Sequence, residues 1–101
     1  MYKQEQVENF LRENWGEIST VDMSKKLNIE LEELLNLTLS MDLKNLPTPD
    51  IKRRWSEIED NFLIANENNL SIKQASNLLY RSRYATYQRV KFLQLEGMVG
   101  R

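Results

Sequence analysis

Apolar residues recur along this chain at intervals of three and four positions, with polar residues between them. Val7, Phe10 and Leu11 form the first such group, and Met23 and Leu27 form the second. This spacing places side chains on one face of an α-helix, whereas a half-buried strand would alternate apolar and polar residues. Since no segment alternates in that way, the pattern predicts an all-α protein.

Capping residues indicate where several of the predicted helices begin. A hydroxyl at the N-cap accepts a backbone N–H that the first turn leaves unpaired, and suitable hydroxyls occur at Ser19 or Thr20, Ser56, Ser71 and Ser82. Ser56 also precedes Glu59 by three residues, which is the capping-box spacing. A further helix is expected to run from about Leu31 to Met41. The helices that begin at Ser56, Ser71 and Ser82 are expected to end near Asn66, Leu79 and Leu95, respectively.

Two prolines interrupt the series of helices. Pro47 and Pro49 lie in the stretch NLPTPDIK, where they forbid continuation of a helix. We therefore assign residues 46–54 to a linker that ends in a basic arm. An amino-terminal unit, residues 1–45, precedes it, and a carboxyl-terminal unit, residues 55–101, follows it.

The chain aligns with itself at an ungapped offset of 52 positions. The segment ENFL at residues 8–11 then matches DNFL at residues 60–63. Further matched pairs are Asn14 with Asn66, Ser19 with Ser71, Ser24 with Ser76, Leu27 with Leu79, Met41 with Leu93, and Leu43 with Leu95. One offset that keeps apolar residues on apolar residues over three segments indicates a duplicated unit. We expect two tandem three-helix units.

Each unit has the layout of a helix-turn-helix, in which a tight turn joins the second and third helices. Small helical bundles without a nucleic acid partner share this layout. The arrangement of helices therefore leaves both classes of protein open.

Composition narrows the chemistry. The 101 residues include no cysteine and no histidine, which removes thiolate nucleophiles, imidazole bases and nearly all zinc sites. No Gly-rich phosphate loop or nucleophile motif is present. We therefore expect no enzyme activity, no metal site and no small-molecule cofactor.

The distribution of apolar residues also bears on location. No stretch approaches the ~20 apolar residues that a membrane-spanning helix requires, and the start MYKQEQVENF lacks the apolar core of a signal peptide. We expect a soluble cytoplasmic protein with no membrane partner, associated with the nucleoid if it is bacterial.

Charge separates the two units. Residues 1–50 contain five Lys or Arg against ten Asp or Glu, whereas residues 51–101 contain nine against five. The formal net charge of -1 for the whole chain hides this division. The acidic and basic units are expected to meet different partners.

The second unit resembles a Myb/SANT-like repeat over Trp55 to about Leu93. The resemblance lies in Trp55 with Ser56, the acidic pair Glu59 and Asp60, and the later residues Leu63, Ile72, Ala75, Leu79, Arg81, Ser82, Ala85 and Arg89. Family repeats carry further tryptophans where Phe62 or Leu63 and Val90 stand here, so this unit would be a divergent member. The resemblance implies a helix-turn-helix that binds DNA, although SANT-type relatives bind proteins.

The last predicted helix, residues 83–95, has one polar and aromatic face. Steps of about 100° per residue bring Tyr84, Tyr87, Gln88 and Lys91 together, opposite the apolar side. An amide, a cation and two rings are groups that read base edges and contact sugars. No acidic residue occurs between Ser71 and Gln94 that would repel phosphate.

Arginines surround this helix. Arg53 and Arg54 form the basic arm, Arg81 and Arg83 stand at the helix start, and Arg101 is a further candidate phosphate contact. Helix starts carry a partial positive charge that favours anions. Glu59 and Asp60 offer a salt bridge to Arg81 or Arg89, and Arg89 lies nearer the core side, where one of these acids is its expected partner. Gly97 is expected to stop the helix.

The first unit lacks such a face. At the 52-residue offset its third helix presents Glu32, Leu35, Asn36 and Leu39, which would repel phosphate and place leucine against DNA. That helix is apolar nearly all round, and its candidate interface residues are Leu31, Leu35 and Leu39. They could pack on the second unit of the same chain or pair two chains into a homodimer, and we favour the homodimer.

Together these patterns predict a sequence-preferring DNA-binding protein, a small transcriptional regulator that reads double-stranded DNA through the major groove. Its size and shape resemble regulators of phage and other mobile elements. The alternative is a protein-interaction adaptor or inhibitor that acts through the apolar, acidic first unit.

Overall fold

The structure is a computed structural model that describes residues 2–100, and it has six helices and no β-strand over that range. They are α1 Gln4–Asn14, α2 Thr20–Leu27, α3 Leu31–Leu39, α4 Glu57–Ala65, α5 Ile72–Leu79 and α6 Arg83–Phe92. The all-α prediction is confirmed. No helix within the described residues is long and apolar enough to cross a bilayer.

Serine caps open four of the six helices. Each predicted serine accepts the backbone N–H of the residue three positions further on, at 3.0 to 3.2 Å. The capping serines are Ser19, Ser56, Ser71 and Ser82. The prediction of these four helix starts is confirmed, because a cap depends only on residues close in sequence.

The end of α6 differs from the prediction. The helix stops at Phe92 rather than near Leu95, and Gln94 takes a left-handed conformation with φ of 60°. Gly97 is not the stop residue. Its N–H instead donates to the Glu67 carboxylate at 2.8 Å, which ties the carboxyl-terminal segment to the end of α4.

Local structure recurs at the 52-residue offset. Helix α2 spans the positions that correspond to α5, and α3 and α6 start at corresponding residues. Hydrogen bonds recur as well: the side chains of Asn14 and Asn66 both donate to the carbonyl four residues earlier at 2.9 Å. The C-cap residues Asn28 and Tyr80 are both left-handed, with φ of 55° and 54°.

One hydrophobic core joins both halves of the chain. Helix α3 packs against α4, and Leu34, Leu35 and Leu63 are fully buried in the shared cluster. Leu31 and Leu39 are half-buried against the same core. The second half of the chain therefore shares the core with α3, and Leu35, which is fully buried, is corrected as an interface residue. That Leu31 and Leu39 pair two chains stays a prediction.

The proline-containing segment lies along α5. Thr48 donates its hydroxyl to the Asn77 carbonyl at 2.7 Å, and the Asn77 amide donates to the Lys44 carbonyl at 2.8 Å. The N–H of Ile51 donates to the Tyr80 carbonyl at 3.1 Å. These bonds hold the segment in a fixed path from α3 to α4.

Tyr80 connects the two halves through its side chain. The side chain is buried, and its hydroxyl accepts the N–H of Gly16 at 2.7 Å. Its ring meets the Trp15 ring edge-on with centroids 5.2 Å apart. Burial raises the pKa of Tyr80 above the ordinary value of 10.0, an effect that the hydrogen bond from Gly16 partly opposes.

We expect Tyr80→Phe to lower the free energy of unfolding by about 1–2 kcal/mol, because the Gly16 N–H would lose its acceptor. Urea denaturation at neutral pH measures this change. Tyr84→Phe is the matched control, since Tyr84 is 72% exposed and should change stability by less than about 0.5 kcal/mol. Equal stability of both variants would contradict the assigned role of Tyr80.

We also expect Tyr80 to make the protein sensitive to alkali. Because the folded-state pKa is raised, the folded protein retains the phenol proton in a pH range where the unfolded chain loses it. The associated stability is complete below pH 10.0 and is lost as the pH rises through the folded-state pKa. Urea denaturation above pH 10.0 should show a steeper loss of stability for the parent than for Tyr80→Phe.

Candidate nucleic-acid interface

Helix α6 exposes one face to solvent. Tyr84 is 72% exposed and Tyr87 38%, and Gln88 and Lys91, which follow them along the helix, are exposed as well. All four side chains that the sequence places on this face are therefore accessible. A flat ligand could meet two rings, an amide and an ammonium group at once.

The opposite face of α6 explains why this one stays open. Thr86 and Val90 are fully buried, and α6 packs against α5 on that side. The Thr86 hydroxyl donates to the Ser82 carbonyl at 2.9 Å, so its polar group is satisfied within the helix. Because Thr86 and Val90 make the core contact of α6, Tyr84 on the other side stays open and Tyr87 is only partly covered.

Phe92 belongs to the same surface and was missed in the sequence reasoning. Its ring is 71% exposed, and the Arg89 guanidinium lies 4.7 Å from the ring centroid. Phe92 follows Gln88 by four residues, which places the two side chains one turn apart on the helix. That spacing was the available signal, but an apolar residue near a helix end is more often buried.

Arg89 is a structural residue, as the sequence predicted. Its Nε and Nη2 donate to the two oxygens of Asp60 at 2.8 and 2.7 Å. The hydrogen bond to Asp60 raises the pKa of Arg89. This bidentate ion pair joins α6 to α4. It leaves Arg89 few free donors for contact with a base.

Arg81 occupies a different place from the one predicted. It is 4% exposed, and its Nε and Nη2 donate to the Glu59 carboxylate at 3.0 and 2.8 Å. Its remaining donors bind the carbonyls of Arg53 and Arg54. Because the guanidinium is buried and bonds the protein through four of its five N–H groups, the expectation that Arg81 contacts phosphate is corrected.

The Trp55 ring packs against this buried arginine. The Arg81 guanidinium lies 4.7 Å from the Trp55 ring and that of Arg89 lies 6.0 Å from it. Trp55 is half-buried against the core. The arm therefore reaches α6 by a continuous series of contacts from its own carbonyls through Arg81, Trp55 and Arg89.

The side chains of the arm point to different partners. Arg53 forms an ion pair with Asp22 at 3.2 Å, and both side chains remain accessible to solvent. Arg54 is exposed and makes no ion pair within residues 2–100. The same holds for Arg83 at the start of α6, so these two arginines carry charge that residues 2–100 leave uncompensated.

A shallow hollow of about 530 Å³ adjoins the exposed face. Its walls come from the start of α5, the first turns of α6 and the carboxyl-terminal segment: Ile72, Arg83, Tyr84, Tyr87 and Gly100. Arg101, a candidate phosphate contact in the sequence, lies outside the described residues. The hollow extends the surface around Tyr84 and Tyr87 that a ligand could contact.

No family model, curated protein sequence or solved structure matches this chain. The resemblance to Myb/SANT repeats therefore stays a prediction from the sequence.

We expect Arg81→Met to lower the free energy of unfolding by about 3–5 kcal/mol, because it leaves the Glu59 carboxylate buried without a cation. The double variant Glu59→Gln, Arg81→Met should lose less than the sum of the two single losses. Urea denaturation of the three variants measures the coupling.

The exposed pair supplies the control. Arg53→Met breaks the contact with Asp22, whose partners are both accessible, and should cost less than about 1 kcal/mol. Additive effects of the Glu59 and Arg81 substitutions would show that the buried pair does not act as a unit.

Proposed function

We propose that this chain is a sequence-preferring DNA-binding protein, a small transcriptional regulator that inserts α6 into the major groove of double-stranded DNA. The observation that carries the proposal is the joint exposure of Tyr84, Tyr87, Gln88 and Lys91 on one face of α6. A cytoplasmic or nucleoid location follows from this role.

The groups on this face match the chemistry of the groove. The Gln88 amide has the donor and acceptor that pair with the N6 and N7 edge of adenine. Lys91 supplies a cation for a guanine edge or a phosphate, and the rings of Tyr84 and Tyr87 pack on sugars or thymine methyl groups. Phe92, at the flank, adds apolar surface for the same purpose.

Phosphate contacts come from the rim of this face. Arg54 and Arg83 are exposed and unpaired within residues 2–100, and Arg83 stands at the positive end of α6. Arg53 can exchange Asp22 for a phosphate, because an exposed ion pair is worth little. The absence of acidic residues from 71 to 94 leaves this side free of repulsion.

The recurrence of helix bounds at the 52-residue offset supports two tandem three-helix units of helix-turn-helix layout, the second Myb-like. Only the second reads DNA in this proposal. At the positions that correspond to Tyr87 and Lys91, α3 has Leu35, which is buried, and Leu39, which is half-buried. The first unit therefore supports the fold and leaves recognition to α6.

Selection from random duplexes followed by anisotropy titration tests the proposal. We expect Gln88→Ala and Lys91→Ala each to weaken binding to the selected sequence by about 1–3 kcal/mol at fixed salt. Lys26→Ala, an exposed lysine on α2, is the control and should leave affinity unchanged. Failure to retain any duplex at low salt would overturn the proposal.

Arg54→Ala should behave differently from the face variants. A phosphate contact carries no sequence information, so we expect equal weakening for selected and random duplexes. The slope of log affinity against log salt should fall by about 1 unit. Titrations at three salt concentrations measure this slope, and an effect confined to the selected sequence would assign Arg54 to base reading instead.

A further inference from the structure

The first half of the chain contains an open groove that the DNA-binding proposal does not use. It has a volume of about 930 Å³ and lies between the start of α1, the turn from α2 to α3, and α3 itself. Its apolar and aromatic lining comes from Tyr2, which is exposed, from Ile29 and Leu37, which are half-buried, and from the buried residues Val7, Leu27 and Leu34. Two carboxylates, Glu30 and Glu33, stand at its edge.

The corresponding place in the second half is filled by the chain itself. At the 52-residue offset Ile29 corresponds to Arg81 and Leu37 to Arg89. Those two arginines are the residues that flank the Trp55 ring, at 4.7 and 6.0 Å. Trp55 thus occupies in the second half the position of the open groove in the first.

The first half has a smaller ring at this place, Tyr2, which lines the groove but is 52% exposed and does not fill it. The residue that corresponds to Trp55 is its neighbour Lys3, which is exposed. The buried carboxylate of Glu59 is likewise replaced by Val7, so the groove floor is apolar where the second half has a buried ion pair. The local fold that receives a tryptophan is retained, whereas the tryptophan is not.

The charge at the edge of the groove is also reversed. Glu30 and Glu33 are exposed and form no ion pair within residues 2–100, while their counterparts Ser82 and Ala85 are neutral. In the second half, two arginines directly precede the ring that fills the site. An occupant with cations next to an aromatic ring would satisfy both the apolar floor and the acidic edge.

We propose that this groove binds an extended basic segment of a partner protein, in which arginine or lysine residues adjoin a tryptophan. The ring lies between Ile29 and Leu37, which are half-buried and correspond to the two arginines that flank Trp55, and the cations face Glu30 and Glu33. Burial of a tryptophan supplies most of the affinity, and the carboxylates select for basic sequence. DNA is disfavoured there, because both carboxylates would repel phosphate.

A dye-labelled peptide of sequence KRRWSE, which copies residues 52–57, is the probe. We expect saturable binding to the full chain with a dissociation constant of about 0.1 mM. Replacing the peptide's tryptophan with alanine should weaken binding at least about tenfold.

Variants of the full chain locate the site. Leu37→Arg introduces the residue found at the corresponding position of the second half and should abolish binding by filling the groove. Glu33→Ala should weaken binding about three- to tenfold at low salt, whereas Glu13→Ala, an exposed acid on α1 outside the groove, should not. Circular dichroism checks that Leu37→Arg is folded, and if it is not, the comparison of Glu33→Ala with Glu13→Ala decides.

Two results would overturn the proposal. One is the absence of saturable binding up to about 1 mM peptide, ten times the expected dissociation constant. The other is binding that is unaffected by Glu33→Ala or that perturbs amide resonances around Val90 and Tyr84 instead of those around Leu34 and Leu37. Duplex DNA titrated into the peptide complex distinguishes the two surfaces, since the groove site should retain peptide when α6 is occupied.

Discussion

The buried ion pair between Glu59 and Arg81 holds together the parts of the chain on which the candidate interface depends. Two charges removed from water are tolerated only where their remaining hydrogen-bonding groups are satisfied. Here Ser56 binds Glu59 through its N–H and its hydroxyl, and the carbonyls of Arg53 and Arg54 accept from Arg81. One cluster therefore fixes the start of α4, the turn before α6 and the path of the basic arm.

The two halves of the chain share a local architecture, but the corresponding helices α3 and α6 have different roles. Helices α3 and α6 start at corresponding positions, yet α3 buries Leu35 against α4 while α6 leaves Tyr87 at the same place exposed. The residue types agree with this division, because leucine gains from burial and tyrosine tolerates both environments. The groove beside α3 shows a second difference between the halves. In the second half Trp55 fills the corresponding place near α6, whereas in the first half the residue at the position of Trp55 is Lys3.

The parts of the fold that depend on neighbouring residues were predictable from the sequence, and the parts that depend on distant contacts were not. Ser71 and its capping partner Gln74 define the start of α5 within one turn, and the predicted end at Leu79 is confirmed. Nothing local distinguishes Arg81, which is buried against Glu59, from Arg83, which is exposed two residues later. The burial of Leu35 in the shared core likewise depends on how the halves pack, which the sequence does not specify.

The fixed path of the arm changes how it would contribute to DNA recognition. An arm that is disordered before binding loses conformational entropy when it reaches a phosphate, and that loss subtracts from its affinity. Here the backbone at Arg53 and Arg54 is already bound by Arg81, and Ile51 is bound to the Tyr80 carbonyl. Only the side chain of Arg54 must be ordered on contact. Arg81, which binds the carbonyls of the arm, also packs on Trp55, and Trp55 lies near Arg89 of α6. The fold would therefore set the spacing between the arm and the exposed face of α6 before DNA binds.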